Sequence, residues 1–265
     1  MQEILIGANE NTQIIMDAAM GNRHGMISGA TGTGKTVTLQ ILAEGYSRLG
    51  VPVFMADIKG DLSGIAKAGQ THKKITERVQ KIRIDDFQFR ANPAVFWDIF
   101  ARNGHPVRTT ISEMGPLLLS HLLELNDTQS GVLYSCFKLA DDQGMLLLDL
   151  KDLRAMLNWM AENSKQLKSE YGNISSASVG AIQRRLLVLD EQGASEFFGE
   201  PAIKIEDFQR TDFSGNGVIS ILDATDLTSK SPRLYAAFLL WMLSDLFETL
   251  PEVGDADQPR LVLFF

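Results

Sequence analysis

Cysteine is nearly absent: Cys136 is the single one in 265 residues, so no intrachain disulfide can form and a reducing compartment is expected. Histidine is scarce too. His24, His72, His105 and His121 show no metal-ligand spacing, and Cys136 has no CxxC partner, which argues against a zinc site. No apolar run reaches membrane-spanning length: the most apolar stretch, Leu234 to Leu250, is interrupted by Asp245 and Glu248. The opening MQEILIGANENTQ holds neither a basic cluster nor a long apolar core, so it does not read as a signal peptide. A cytoplasmic protein without membrane contact is the expectation. Basic residues are outnumbered 25 to 33, giving a formal net charge of −8. That balance opposes wholesale coating of nucleic acid, which rests on Lys and Arg neutralising phosphates. It does not exclude a ring with a locally basic inner wall and an acidic outer face.

What is present is an ordinary globular composition, 45% hydrophobic, with no repeat or low-complexity tract. Residues 3–7 and 12–16, separated by polar A-N-E-N, read as a hairpin within residues 1–20. Met26-Ile27-Ser28 reads as a short buried strand running into a glycine-rich turn. From Lys35 the apolar spacing turns helical through Val37, Leu39, Ile41, Leu42, Tyr46 and Leu49, and it stops at Gly50 with Pro52 beyond. Val51 to Ala56 is a continuous apolar run, as expected of a parallel strand covered on both faces. The chain thus opens as a βαβ unit. Residues 72–81 look helical, and KIRI, FQFR and AVFW are short strand-like pieces broken by Asp85-Asp86 and Asn92-Pro93. Helices are predicted over 111–125, 127–143, 150–167 and 175–190, with a cap region at Asn126 or Asp127 followed by Gln129. Strand pattern returns at Gly217 to Asp223, a helix follows from Pro232, and Leu261 to Phe265 is a last strand. The expected architecture is α/β: a mostly parallel sheet from residues 21–70 and 215–265, with a mostly helical insertion over 71–214.

Gly29, Ala30, Thr31, Gly32, Thr33, Gly34, Lys35 and Thr36 fit G-x-x-x-x-G-K-[ST] at every fixed position. A loop wrapped around a triphosphate must turn its N–H groups inward, and glycine permits the dihedrals and the close approach. The helix that follows, with Val37 in its first turn, offers the positive end of its dipole to the same phosphates. Lys35 is expected to bridge the β- and γ-phosphates of ATP, and Thr36 to offer its hydroxyl to Mg²⁺. Hydrolysis needs in addition a carboxylate, usually at the end of a strand beside the P-loop strand. Asp57, closing VFMAD, and Asp223, closing GVISILD, are the strand-end carboxylates, and neither is followed by a second acid. Leu261 to Phe265 has the character of the carboxylate-bearing strand and is expected to flank the P-loop strand.

Asn22-Arg23-His24 leading through G-M-I-S into GATGTGKT resembles the HerA/FtsK superfamily of ATP-driven DNA translocases. Asp57-Ile58-Lys59-Gly60-Asp61 resembles that superfamily's D-x-K-G-(D/E) segment. Phe96 to Arg108, Ser178 to Leu186, Phe197 to Pro201 and Ser231 to Tyr235 resemble bacterial HerA-like proteins of the YjgR type. The resemblance implies a RecA-like P-loop NTPase core working as a hexameric ring, with nucleotide between subunits and duplex DNA through the centre. A nuclease partner and helicase activity belong to the same expectation. It also implies that L-V-L-F-F should be followed by D-E-A-H, so the chain reads as cut before those acids, able to bind ATP and Mg²⁺ but a poor hydrolase as it stands. Among residues it assigns Asp57 a catalytic contact, with Asp61 and Lys59 behind it. Arg23 is the first choice for the arginine reaching a neighbour's γ-phosphate, ahead of Arg184 and Arg185.

Two other functions share the motif. One is a small-molecule phosphotransferase, opposed by the roughly 225 residues between the P-loop and the last strand and by the lack of an arginine-rich lid. The other is a nucleotide-gated scaffold that binds without turnover. Phe96 and Trp97 with Arg102 and Arg108 suggest a base-stacking platform, but such aromatics are more often core. Lys165 and Lys168 read as a solvated helix end.

Overall fold

The computed structural model describes residues 3–84, 87–250, 254 and 256–265. The chain divides into two compact units: residues 1–97, 204–225 and 251–265 form the first, residues 98–203 and 226–250 the second. The described strands are β1 (Glu3–Ala8), β2 (Gln13–Asp17), β3 (Val53–Asp57), β4 (Ala94–Asp98), the two-residue β5 (His105–Pro106), β6 (Ile219–Asp223) and β7 (Val262–Phe264).

In the first unit β1 and β2 form the expected antiparallel hairpin. Its turn is tied by Asn9, whose Oδ1 accepts from the backbone N–H of Asn11 and Thr12, both at 2.8 Å. The hairpin rests on helix α1 (Lys35–Arg48): Ile4 lies so close to Gly45 that a Cβ there would come within 2.5 Å of the isoleucine. Gly50, at φ +81°, ends the helix region and turns the chain into β3.

The parallel core runs in the order β4-β6-β3-β7. Val53 to Asp57 face Ile219 to Asp223 in register, and Val53 to Met55 face Val262 to Phe264. β3 is a continuous apolar run up to Asp57, β6 is interrupted by the buried Ser220, and Val53, Phe54, Met55, Ile219 and Leu222 are fully buried. Side chains alternate: Val53, Met55, Ile219 and Ile221 join Leu42, Tyr46 and Val262 in one core, while Phe54 and Trp97 turn to Phe208, with ring centroids at 5.2 and 5.6 Å. Trp97 and Phe96 therefore pack within this unit and form no stacking platform.

The expected strand at Met26–Ser28 does not form. The segment has no ladder partner among the described residues, and Met26 is 89% exposed. Both edges of β3 are taken, by β6 and by β7, so β7 flanks β3 and not the segment leading into the P-loop. KIRI and FQFR likewise form no strand, and the break at Asp85-Asp86 lies outside the described residues. Helix α2 (Lys73–Lys81) forms where helical spacing predicted it.

The second unit is helical: α3 (Ile111–Leu122), α4 (Asp127–Asp142), α5 (Leu150–Glu162), α6 (Ser164–Tyr171), α7 (Ser176–Glu191) and the one-turn α8 (Ala194–Phe197). Along the chain α9 (Thr225–Lys230) then follows β6 and leads to α10 (Pro232–Thr249), which carries proline in its first turn. Reciprocal capping boxes start three helices, Thr110 with Glu113, Asn126 with Gln129 and Asp149 with Asp152. Gly115, at φ 71°, and Pro116 kink α3. The single helix predicted over 150–167 is two, because Asn163 ends α5 and begins α6. Leu119, Leu133, Leu153, Leu157, Ile182, Leu186 and Phe238 are fully buried, with Cys136 beside them on α4. No helix among the described residues is long and apolar enough to cross a membrane.

Candidate nucleotide-binding site

The glycine-rich turn joins the exposed residues 24–33 to α1. Gly34 is the N-cap residue in the left-handed region, φ 99° and ψ 16°, and Gly32 stands at φ 82°. A side chain at either would strain the backbone, which is why the motif demands glycine there. Gly29 is constrained by space, since a Cβ would come within 2.5 Å of Thr33 Oγ1. That hydroxyl donates to the carbonyl of Ala30 at 2.8 Å and closes the loop. Helix α1 begins with no side-chain cap and no acidic residue in its first turn. Its N-terminal amides and dipole therefore face an exposed loop, where they favour an anion.

Lys35 Nζ donates to the carbonyls of Gly29 at 2.7 Å and Ala30 at 2.8 Å. An ammonium has three donors, so two hold the lysine across the mouth of the loop and one remains for a phosphate oxygen. Thr36 Oγ1, on the next residue, donates to Asp61 Oδ2 at 3.3 Å. A hydroxyl and a carboxylate brought together at the P-loop helix are the oxygen donors that Mg²⁺ takes, directly or through water. They suit a metal held chiefly by phosphate oxygens, and no cluster of three or more His, Cys, Asp or Glu forms a metal cage among the described residues.

Asp57 has a different place from its neighbour in sequence. It is buried, and its carboxylate accepts four backbone N–H groups: Lys59 (3.2 Å), Gly60 (2.7 Å) and Asp61 (3.2 Å) on Oδ1, Leu62 (3.0 Å) on Oδ2. Three donors share Oδ1 and one reaches Oδ2, so its own loop engages both oxygens of the carboxylate. Asp57 therefore folds residues 58–62 back along α1, with Gly60 at φ 74° making the tight turn, and Asp61 arrives at Thr36 as a result. Gln40 Nε2 adds a contact to the Asp61 carbonyl at 3.4 Å. The exposed Asp61 is the residue underweighted by sequence reasoning. The signal available was the glycine three residues after Asp57, which marks an aspartate that anchors its own loop.

The other strand ends repeat the device. Asp223, paired in register with Asp57, accepts from the Thr225 N–H at 3.0 Å and the Thr225 hydroxyl at 2.6 Å. Asp98, at the end of β4, accepts from the backbone N–H of Phe100, Arg102 and Asn103. Arg23 is exposed before the loop, and its side chain makes no ion pair among the described residues. In the second unit Arg185 pairs with Glu124 at 3.2 Å, Arg102 with Asp226 at 2.8 Å, and Arg108 donates to the carbonyls of Glu196 and Glu200. Arg184 lies beside Gly180 on α7, and Lys59 is exposed.

This fold is shared with two solved structures. VirB4 of Thermoanaerobacter pseudethanolicus is 14% identical with a TM-score of 0.51, over 92% of this chain and 64% of that one. The unbound monoclinic form of the bacterial conjugative coupling protein TrwBdeltaN70 is also 14% identical with a TM-score of 0.51, over 98% of this chain and 64% of that one. The chain thus spans a little under two thirds of either. No curated protein sequence matches it. The family model described as Helicase HerA-like C-terminal matches residues 2–265, nearly end to end. The chain belongs to the HerA-like C-terminal family.

Proposed function

We propose that this chain is the ATP-binding part of a motor that hydrolyses ATP to move along duplex DNA, working as a hexameric helicase or translocase with a nuclease as a possible partner. One observation carries the ATP half of the reading: Lys35 is held across the P-loop with a donor to spare, beside the Thr36–Asp61 pair. The loop residues Gly29 to Thr36 and the first turn of α1, including Val37, would surround the phosphates. Lys35 would meet the β- and γ-phosphates, Thr36 and Asp61 would hold Mg²⁺, and Asp57 would position Asp61. The bound ion would neutralise charge on the transferring phosphoryl group. Arg23, exposed and without an ion pair among the described residues, would reach the nucleotide of a neighbouring subunit.

The DNA half rests on family membership and the fold. Its test is ATP hydrolysis by the full-length protein with and without duplex DNA. Stimulation that Lys35→Ala abolishes supports the motor, whereas hydrolysis indifferent to every DNA at low salt removes the translocase and leaves an ATPase. A second reading, nucleotide-gated binding without turnover, is favoured by one observation: Asp57 and Asp98 at the strand ends are engaged by their own loops. Tight binding of ATP by a full-length protein that never releases phosphate would select it.

A further inference from the structure

The acidic balance of the chain is uneven. Residues 67–90 hold seven Lys and Arg against three Asp and Glu, a local charge of +4 within a chain of −8. Helix α2 lies within that segment, and no residue in it is buried. Lys74, Arg78 and Lys81 recur at i, i+4 and i+7, one above another on a single face over about 10 Å of helix rise. Lys73 pairs with Glu77 at 3.8 Å and Lys81 with Glu10 at 3.1 Å. Lys74 and Arg78 make no ion pair among the described residues. Like charges four apart on a helix, as Lys74 and Arg78 are, oppose its formation by a few tenths of a kcal/mol.

The stripe is displayed on a tethered helix. His72 Nδ1 accepts from the Lys74 N–H at the start of α2, and just past its end the Arg83 carbonyl accepts from Gln13 Nε2 at 3.2 Å, tying the segment to β2. The apolar residues Ile75, Val79 and Ile82 occupy the adjacent face, and Val79 and Ile82 are half-buried against the first unit. That face is partly spent on the protein, so a nine-residue helix has too little of it left to enter a lipid surface. The basic edge faces water, where a row of cations a helical turn apart suits a row of phosphates.

We infer that the Lys74–Arg78–Lys81 edge of α2 is a contact surface for the phosphate backbone of duplex DNA. This rests on the DNA-motor reading above and gives it a location.

The test is binding of a fluorescein-labelled random-sequence duplex to the full-length protein, measured by anisotropy across a salt series. Three proteins are compared: wild type, Lys74→Gln/Arg78→Gln, and the comparator Lys165→Gln/Lys168→Gln on α6. The α2 variant should bind roughly tenfold more weakly, with the slope of log K against log salt shallower by about 2, one step for each phosphate no longer neutralised. DNA-independent ATP hydrolysis and the melting temperature should not change. If the α2 variant keeps both affinity and slope while wild type binds, the assignment to α2 is overturned and the motor reading survives. If wild type binds no duplex, both are overturned. An equal loss in the α6 comparator would show a net-charge effect and also refute the assignment. So would binding of wild type to phosphatidylserine vesicles that the α2 variant loses while keeping DNA.

Discussion

Replacing Asp57 by alanine tests whether this aspartate works on the nucleotide or on the loop. Its carboxylate accepts four backbone N–H groups, at 2.7 to 3.2 Å. Lys59, Gly60 and Asp61 are exposed, so their amides can turn to water when the carboxylate is gone; Leu62 is buried and its amide cannot. Hydrogen bonds to a charged group contribute about 1.5–3 kcal/mol, and an unsatisfied buried donor costs about 1–3 kcal/mol. With three of the four amides rescued by water, the expected loss is about 2–4 kcal/mol. For a chain of this size that lowers the melting temperature by roughly 5–12 °C, readable by calorimetry. Mg²⁺-dependent ATP binding should weaken as well, because residues 58–62 would no longer deliver Asp61 to Thr36. Asp61→Ala is the contrast. It removes an exposed side chain, so stability should stay within about 0.5 kcal/mol, while the Mg²⁺-dependent part of ATP affinity falls. An Asp57→Ala protein that melts like wild type yet cannot hydrolyse ATP would refute the anchoring argument and return Asp57 to direct contact with the reacting groups.

Gly217→Ala should destabilise strongly, because a Cβ would come within 2.0 Å of the Val51 carbonyl oxygen and 2.5 Å of the Pro52 nitrogen, both backbone atoms. About 3 kcal/mol or more is expected from such overpacking, seen as a lower denaturation midpoint. Burial pushes the Cys136 thiol up from its ordinary 9.0 to about 12. The unfolded thiol then loses its proton first as pH rises, so stability is full below pH 9.0 and falls between there and about pH 12. At pH 10 the loss is about 1.4 kcal/mol, and urea titrations should find that Cys136→Ala lacks it. Arg23→Ala should leave ATP affinity unchanged and lower the turnover of the assembled full-length protein by 10³-fold or so if the arginine acts across subunits. Unchanged turnover would return it to the ordinary surface.

The P-loop was legible in the sequence because its spacing encodes backbone geometry: Gly32 and Gly34 hold positive φ, and Lys35 closes on the loop they shape. The helix and strand that follow were legible for a similar reason, since the helical spacing of α1 gives way at Gly50 to the continuous run of β3. The capping pair Asn126 and Gln129 placed the start of α4 to within a residue. Strand neighbours were not legible. Met26-Ile27-Ser28 is apolar enough for a strand, but a strand also needs a partner, and β3 pairs instead with β6 and β7. Nothing local in Ile219–Asp223 says that it inserts between β3 and β4. The division between Asp57 and Asp61 was only partly legible, through Gly60. Four residues apart at the same strand end, they differ only in which one the loop amides capture.

Titration of ATP into the protein with and without Mg²⁺, for wild type and Lys35→Ala, tests the central claim most directly. The account predicts saturable binding by wild type, tighter with Mg²⁺ and raising stability by about 2.7 kcal/mol at a hundredfold excess over Kd, and its loss in Lys35→Ala. Equal binding by the two proteins, or none by wild type, would contradict it.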